Sequence, residues 1–110
     1  MTVTSSGTTV TVTTTAGSSV AVTCNGGQVR AQGIAPTPPI ACATVTAINI
    51  NGDAGNNFVD VGAVGTAFGA LANIRIAPGG GSNLVFGSPK RDTVTGSNGG
   101  QDQVWLDAEG

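Results

Sequence analysis

The chain has 110 residues and a formal net charge of −2, with 18 glycines, 9% charged residues and 4% aromatic residues. This length corresponds to one domain or a piece of one. Soluble domains carry about 25% charged residues on average, so neutral hydroxyl and amide groups dominate this surface. The combination of β-branched residues and glycine is typical of an all-β protein with many tight turns. It excludes an ordinary helical enzyme.

The side chains that are missing or rare exclude several classes of function. The sequence has no histidine, which excludes nucleophilic schemes with a histidine base and zinc sites with histidine ligands. Its four basic residues, Arg30, Arg75, Lys90 and Arg91, are too few to form a nucleic-acid-binding face. No apolar run approaches the roughly 18 residues of a membrane span. We expect no nucleic-acid partner, no membrane span and no small-molecule substrate.

The N-terminal segment, residues 1–42, shows the alternation of half-buried strands. Valines alternate with threonines over Thr9–Thr13, and the pattern resumes over Ser19–Thr23 after a turn rich in Gly and Ser. A second turn, Asn25–Gly27, leads into Gln28–Ala31. The sequence predicts an antiparallel meander of three short strands in this segment.

A proline-rich loop at residues 35–41 follows the meander, and Cys24 and Cys42 flank the third strand and this loop. Its prolines cannot donate to a central ladder. A cysteine pair in a lysine-poor, Thr- and Gly-rich β chain favours a disulfide formed outside the cytosol, and two buried free thiols are the alternative. The loop-closure entropy of such a disulfide stabilises a fold by about 3 kcal/mol. We therefore expect an extracellular or cell-surface protein.

Residues 43–110 contain short apolar strands separated by turns rich in Gly and Asn. Taking every second strand gives two series of equivalent positions, Ile48, Ile74 and Val94, and Val59, Val85 and Val104. Both series have a step of 26 residues followed by one of 20 or 19, as two faces of one coil must. The Gly- and Ala-rich residues 62–72 account for the longer step. The sequence predicts a parallel β-solenoid of about three coils, similar to a β-roll or β-helix, after the meander.

The turns between these strands carry a nine-residue pattern. The glycine-rich calcium-binding repeat reads G-G-x-G-x-D-x-U-x, where U is apolar. Four segments fit it in phase with the strands: residues 52–60, 78–86, 87–95 and, with one extra residue, 96–104. Over residues 43–107 the chain therefore resembles the secreted bacterial repeats-in-toxin (RTX, haemolysin-type) proteins.

The resemblance implies calcium ligands at the sixth position of each repeat. In the family, carboxylates on adjacent coils of one face share an ion, and calcium affinity depends on the number of carboxylates. By this correspondence Asn83 pairs with Asp102, Asn57 faces Asn83, and Asp92 belongs to the other face. Asp92, Asp102 and Asn83 are the candidate calcium ligands. In the alternative, a metal-independent solenoid that requires no cofactor, these side chains bond to the backbone of the turns.

The acidic residues offer little support for catalysis. Paired carboxylates can cleave glycosidic bonds when they face a sugar-sized cleft, and Asp53 and Asp60 flank one turn. Further carboxylates follow at 92, 102, 107 and 109. β-Helix lyases combine calcium with a basic residue, a role for Arg75 or Arg91, but a solenoid this short has little cleft. We expect no enzyme activity.

The ends of the predicted solenoid suggest self-association. An uncapped end exposes unpaired backbone and apolar side chains. If Val104 faces the interior, Trp105 faces outward, and an exposed tryptophan is a favoured interface anchor. We expect contacts at Val3 on one end and at Val104, Trp105 and Leu106 on the other. The predicted function is a secreted, non-catalytic structural subunit that assembles head to tail into an extracellular fibre or surface layer.

Two alternatives stay open at this point. The first is a calcium-binding RTX-type module of a larger exported protein, which calcium dependence would distinguish from a structural subunit. The second is binding of ice or carbohydrate by the threonine ladder of residues 8–15. Flat threonine rows should repeat on every coil for that purpose, and the later coils lack them.

Overall fold

The computed structural model describes residues 1–15, 17–95 and 102–105, the side chain of Asp102 excepted. Over these ranges the protein is all-β, as predicted: ten strands form two five-stranded mixed sheets. Two short 3-10 turns, Cys42–Thr44 and Thr66–Phe68, lie between strands. None of the helical segments in these ranges is long and apolar enough to cross a membrane.

The strands are β1 (Thr2–Ser6), β2 (Thr9–Thr13), β3 (Ser19–Asn25), β4 (Gln28–Ala31), β5 (Ala47–Asn51), β6 (Phe58–Asp60), β7 (Asn73–Ala77), β8 (Asn83–Phe86), β9 (Asp92–Val94) and β10 (Asp102–Trp105). The first sheet has the strand order β1-β2-β5-β7-β9, and the second has the order β10-β8-β6-β3-β4. The radius of gyration is 12.7 Å, close to the value of about 13 Å for a domain of 100 residues.

Parallel pairing dominates both sheets. In the first sheet β2, β5, β7 and β9 pair in parallel, and in the second sheet β3, β6, β8 and β10 do. Among the ten strands, antiparallel pairing is limited to the hairpins β1–β2 and β3–β4. The parallel-paired strands, which exclude β1 and β4, therefore alternate between the two sheets along the chain.

The predicted three-stranded antiparallel meander over residues 1–42 is wrong in its first pairing, because β2 and β3 lie in different sheets, whereas its second pairing, β3 with β4, is antiparallel as predicted. Val10 of β2 lies opposite Ile48 of β5, and Val20 of β3 lies opposite Val59 of β6. All four side chains are fully buried in one core. Alternation identifies the buried face of a strand but not its partner. The division of the chain at residue 42 stays a prediction, and both sheets pair across it.

The observed parallel register agrees with the predicted series in the second sheet. In the first sheet it differs from the predicted series at its last strand. In the second sheet Val85 lies opposite both Val59 and Val104, as the spacing predicts. In the first sheet Val94 lies opposite Ile76, two residues beyond the predicted partner. A shift of two residues keeps the same side chains facing inward. The apolar pattern therefore fits both registers of β9 equally well.

The hydrophobic core lies between the two sheets. Its largest fully buried side chains are Phe68, Ile48, Ile50, Ile74 and Ile76. The connection between β6 and β7 adds to this core, because Val64, Phe68 and Leu71 are all buried around the 3-10 turn Thr66–Phe68. Full burial of one such side chain contributes about 1.5–3 kcal/mol. This connection is therefore a packed part of the fold.

Residues 32–42 cover the N-terminal edges of both sheets. On the first sheet the Ser5 N–H donates to the Thr37 carbonyl at 3.2 Å, and the Thr37 N–H donates back to β1. On the second sheet the Cys42 N–H donates to the Gly27 carbonyl at 2.9 Å, beside β4. An uncovered edge strand is a site for pairing with another chain. This segment closes that site at the N-terminal end.

The predicted disulfide is confirmed. The Sγ atoms of Cys24 and Cys42 are 2.12 Å apart, and the bond links β3 to the start of the 3-10 turn Cys42–Thr44. It closes a sequence separation of 18 residues and fastens the end of the covering segment 32–42. Such bonds persist in oxidising compartments.

The opposite end of the sheets is different. Within the described residues, no strand pairs with the outer edges of β9 and β10. Val104 belongs to the inward row of the second sheet, yet 40% of its surface is exposed. Val94 of β9 is half-buried against the same core. Among the described residues, this end therefore has unpaired strand edges and partly exposed apolar side chains.

Candidate functional site: stacked turns and the outer face of the second sheet

Three turns stack on one another beside the sheets, at residues 17–18, 52–57 and 78–83, which we term the turn stack. Asn57 is 3% exposed, and its Oδ1 accepts from the Ser18 N–H at 3.0 Å and from the Thr14 hydroxyl at 3.1 Å. Asn83, also 3% exposed, repeats this arrangement, with its Oδ1 accepting from the Asn57 N–H at 2.8 Å. Each asparagine therefore ties its turn to the turn before it.

The amide nitrogens of the same two asparagines hold the carbonyls of the turns. Nδ2 of Asn57 donates to the carbonyls of Gly55 at 3.1 Å and Pro78 at 3.0 Å. Nδ2 of Asn83 donates to the carbonyls of Gly79 at 3.1 Å and Gly80 at 3.0 Å. These bonds satisfy backbone groups that would otherwise be costly to bury. They match the predicted alternative in which asparagine side chains bond to the backbone of the turns.

Glycine allows the turns to approach closely. A Cβ atom built at Gly52 would lie 1.9 Å from the Pro78 carbonyl oxygen, and one at Gly79 would lie 2.2 Å from the Asp53 carbonyl oxygen. Gly79 also has a φ of +82°, a conformation that favours glycine. The glycines of the nine-residue pattern thus have a steric role in this fold that requires no metal.

Asp53 braces two neighbouring turns through its carboxylate. Its Oδ2 accepts from the Gly17 N–H at 3.1 Å, and its Oδ1 accepts from the Gly55 N–H at 2.9 Å. The hydrogen bond from Gly17 is the main cause that lowers the pKa of Asp53 below its usual value, with burial opposing it. The ionised carboxylate is the form that accepts these hydrogen bonds.

The predicted calcium ligands are divided between the two sheets. Asp92 lies in β9 of the first sheet, where its carboxylate accepts from the N–H and the hydroxyl of Ser88, both at 2.8 Å. Asn83 and Asp102 lie opposite each other in the second sheet, and the side chain of Asp102 is outside the described part. Within that part no three residues of the His, Cys, Asp and Glu types lie together to hold a metal ion. Calcium binding stays a prediction.

The described carboxylates considered for catalysis bind the backbone of turns. Besides Asp53 and Asp92, the Asp60 Oδ1 accepts from the Gly62 N–H at 2.9 Å. The acidic residues at 107 and 109 lie outside the described residues. The contacts of the described carboxylates are those of residues that shape turns.

The outer face of the second sheet carries aromatic side chains at alternate positions. Across β6, β8 and β10, Phe58 lies opposite Leu84, and Phe86 lies opposite Trp105. Phe58 is 39% exposed and Trp105 is 62% exposed. The ring centroids of Phe58 and Phe86 are 5.6 Å apart. We term Phe58, Phe86 and Trp105 the aromatic face.

An open groove of about 650 Å³ lies beside Phe58, between the aromatic face and the turn stack. Its lining includes Ser19, Asn56, Phe58, Ser82, Leu84 and Gln103. The sequence analysis does not predict this surface, because the alternation in these strands is interpreted there through the inward valines. Phe58, Phe86 and Trp105 each stand next to a member of the inward row Val59, Val85 and Val104, and that alternation was the available signal.

The predicted interface residues differ in accessibility. Val3 is only 5% exposed, and residues 32–42 cover the edge of its strand. The contact at Val3 stays a prediction. Val104 and Trp105 are 40% and 62% exposed. Leu106 lies outside the described residues. The accessible apolar residues of this set are therefore at the β9–β10 end.

The chain matches no protein-family model, no curated protein and no solved structure. The resemblance to RTX proteins therefore rests on the nine-residue pattern alone. In this structure the pattern also has a metal-independent basis, since its glycines permit close turns and its asparagines bond to the backbone.

Proposed function

We propose that the protein is an exported, non-catalytic structural module, built as a short solenoid, whose β9–β10 end associates with a second copy. The difference between the two ends of the sheets carries this proposal. Residues 32–42 cover the N-terminal edges, whereas no described strand pairs with the outer edges of β9 and β10. Uncovered edge strands are sites of strand addition.

The alternation of strands between the sheets supports the solenoid. Each passage of the chain adds one parallel strand to the first sheet and one to the second, through β2 and β3, β5 and β6, β7 and β8, and β9 and β10. Successive passages bury one continuous core. In a stack of this kind each layer is stabilised by its neighbours, so an end layer gains stability from another layer placed on it.

Apolar side chains at the β9–β10 end support association there. Val104 continues the row of Val59 and Val85, which are fully buried, but it is itself 40% exposed. Val94 of β9, in the first sheet, is also only partly buried against the core. Covering such side chains contributes about 25 cal/mol for each Å² of apolar surface removed from water. Backbone pairing and apolar burial thus favour the same contact.

The covered N-terminal end changes the geometry of assembly expected from the sequence. A head-to-tail fibre needs an open surface at Val3, which is buried. Contact between two β9–β10 ends needs only the surface that is open. Two identical surfaces pair about a two-fold axis, with antiparallel edge strands. We therefore favour a closed dimer over a fibre.

Export and independence from calcium complete the proposal. The Cys24–Cys42 disulfide is the observation that favours an extracellular or cell-surface location. The side-chain oxygens of Asn57 and Asn83 accept hydrogen bonds from backbone N–H groups. These bonds hold the turn stack in the proposed protein without a metal. The carboxylates of Asp53 and Asp60 are also bonded to backbone N–H groups, which supports a structural role.

The test is light scattering combined with negative-stain microscopy of the concentrated protein, with chelator and without reductant. We expect discrete dimers. Val104→Lys should give monomers, because a charge would be buried in the contact. Ile34→Lys, at a residue of similar exposure (44%) in the covering segment, should leave the dimer intact. Circular dichroism shows whether each variant keeps its strands.

Three results would contradict the proposal. Wild-type monomers at every concentration would show that the β9–β10 end does not associate. Filaments disrupted by both variants would restore the head-to-tail arrangement. Association that requires added calcium would favour an RTX-type module.

A further inference from the structure

The aromatic face concentrates a side-chain type that this chain otherwise avoids. The sequence has three phenylalanines, one tryptophan and no tyrosine, and three of these four aromatic residues lie on the outer side of the second sheet. The remaining one, Phe68, is in the core. Core packing explains Phe68, but it does not explain Phe58 and Trp105, which are 39% and 62% exposed. Grouped exposed apolar side chains mark binding surfaces.

The aromatic face extends across three strands. Neighbouring strands are about 4.8 Å apart, so Phe58 on β6 and Trp105 on β10 are separated by roughly 10 Å across the sheet. Phe86 on β8 lies between them, with its ring centroid 5.6 Å from that of Phe58. The span of the face is close to the length of two linked pyranose rings. An extended ligand with flat apolar surfaces fits this geometry.

Uncommitted polar groups lie beside these rings. Ser19, Asn56, Ser82 and Gln103, whose side chains carry hydroxyl or amide groups, line the groove next to Phe58. Within the described part of the chain the two hydroxyls, Nδ2 of Asn56 and the Gln103 amide make no hydrogen bond to protein. The Asn56 Oδ1, by contrast, is held by the Ser82 N–H at 2.8 Å, which fixes the direction of its Nδ2. Hydroxyl and amide groups of this kind pair with the hydroxyls of a sugar.

The charge of the surface favours a neutral ligand. Among the described residues of the aromatic face and the groove, no lysine or arginine occurs, and Asp60 lies opposite Phe86 at the border. Phosphate groups and nucleic acids need basic partners. A second copy of the chain could cover the rings, but it would not account for the polar groups of the groove.

We propose that the aromatic face and the adjoining groove bind an extended neutral glycan. The C–H groups of the sugar rings carry partial positive charge and pack on the electron-rich faces of Phe58 and Trp105. The sugar hydroxyls bond to Ser19, Asn56 and Gln103 along the groove. This function goes beyond the proposed dimer, because it uses the outer face of the second sheet and not the strand edges.

Trp105 is the only tryptophan, so its fluorescence reports on the proposed contact. The probes are cellohexaose, a flat glucan, and maltohexaose, a helical one. We expect a saturable change in emission with cellohexaose and weaker binding of maltohexaose. Phe58→Ser should weaken binding roughly tenfold, as for loss of one ring contact. Ile34→Ser, at a residue of similar exposure that belongs neither to the aromatic face nor to the groove, should bind as the wild type does.

Gln103→Ala keeps the rings and removes one amide, so it should weaken binding several-fold with the fold intact. The dimer variant Val104→Lys separates the two proposals, since it should remain able to bind cellohexaose as a monomer. Absence of a saturable signal with either sugar, or equal binding by Phe58→Ser, would overturn the proposal. An emission change that follows protein concentration and ignores both sugars would overturn it as well, and would make this face an interface between copies.

Discussion

Glycine and asparagine determine how closely the turns of this protein approach one another. The Gly52 Cα faces the Pro78 carbonyl so closely that a Cβ would reach within 1.9 Å of its oxygen. At that spacing the Asn57 amide can reach the backbone of the turns on both sides, at Ser18 and at Pro78. The stacking of the turns thus depends on asparagine, which has a short polar side chain, and on glycine, which has no side chain.

A matched pair of glycines can isolate the loss of folding free energy caused by adding a Cβ atom where two turns approach closely. Gly79 and Gly27 both have a φ of +82°, but a Cβ at Gly79 meets the Asp53 carbonyl oxygen at 2.2 Å, whereas one at Gly27 meets no atom within 4 Å. Gly27→Ala should cost about 1 kcal/mol for the left-handed conformation. Gly79→Ala should cost a further 1–3 kcal/mol, roughly, for overpacking. Urea unfolding followed by circular dichroism measures the stability of both variants. Equal urea midpoints for the two variants would contradict the close approach of the turns at Gly79.

Replacing Asn57 with aspartate tests the role of its amide nitrogen. Asn57→Asp keeps the side-chain shape but cannot donate to the carbonyls of Gly55 and Pro78, and it buries a charge among them. We expect a loss of about 3 kcal/mol or more at neutral pH. Asn51→Asp, at an exposed position of β5, should change stability by less than about 0.5 kcal/mol.

The same variant distinguishes a turn stack held by the asparagine side chains from a calcium site. Aspartate is the residue that the RTX pattern has at the position of Asn57. If calcium restores the stability of Asn57→Asp, or binds it more tightly than the wild type, the turn is a metal site that lacks one ligand. Urea midpoints measured with calcium and with chelator should be the same if the hydrogen bonds of the asparagine side chains hold the turn stack without a metal.

At the scale of strands, the sequence predicts the face of each element better than its partner. The alternation of valine and threonine in β2 correctly predicts that Val10 and Val12 are buried. It does not predict that Val10 pairs with Ile48, because that choice depends on a strand far along the chain. The two-residue shift of Val94 has the same origin, since both registers bury the same side chains.

The disulfide is the element-scale feature with the clearest effect on stability. It closes an 18-residue separation between Cys24 and Cys42, and Cys42 is 1% exposed. Reduction should lower the free energy of unfolding by about 3 kcal/mol, because the unfolded chain regains the entropy of an open loop. Urea midpoints with and without reductant measure this change. A variant with Cys24→Ala and Cys42→Ala should show no response to reductant, and an equal response would mean that reductant acts elsewhere.

At the scale of the molecule, the sequence predicts the fold class, much of the turn stack and the outward orientation of Trp105, but not the aromatic face as a whole. The nine-residue pattern located the turns around Asn57 and Asn83, because glycine and asparagine there are needed for the local backbone. The aromatic face was not predicted. Its members meet only when β6, β8 and β10 pair, and no local rule brings Phe58 near Trp105.

The pairing across residue 42 predicts that the whole chain unfolds as one unit. β2 and β3 find their parallel partners in β5 and β6, and residues from both sides of position 42 share one core. Calorimetry should therefore show a single transition whose van't Hoff and calorimetric enthalpies agree. For 110 residues the enthalpy near 60 °C should be about 75 kcal/mol.

A shortened chain of residues 1–42 provides the control for this unit. It keeps the disulfide and both hairpins but lacks every parallel partner of β2 and β3, so the inward valines Val10, Val12, Val20 and Val22 would lose most of their cover. Two hairpins without a shared core are marginal in water, and we expect little strand signal by circular dichroism. A folded shortened chain, or two separate transitions in the full chain, would show that the two segments are independent and that the core between the sheets does not couple them.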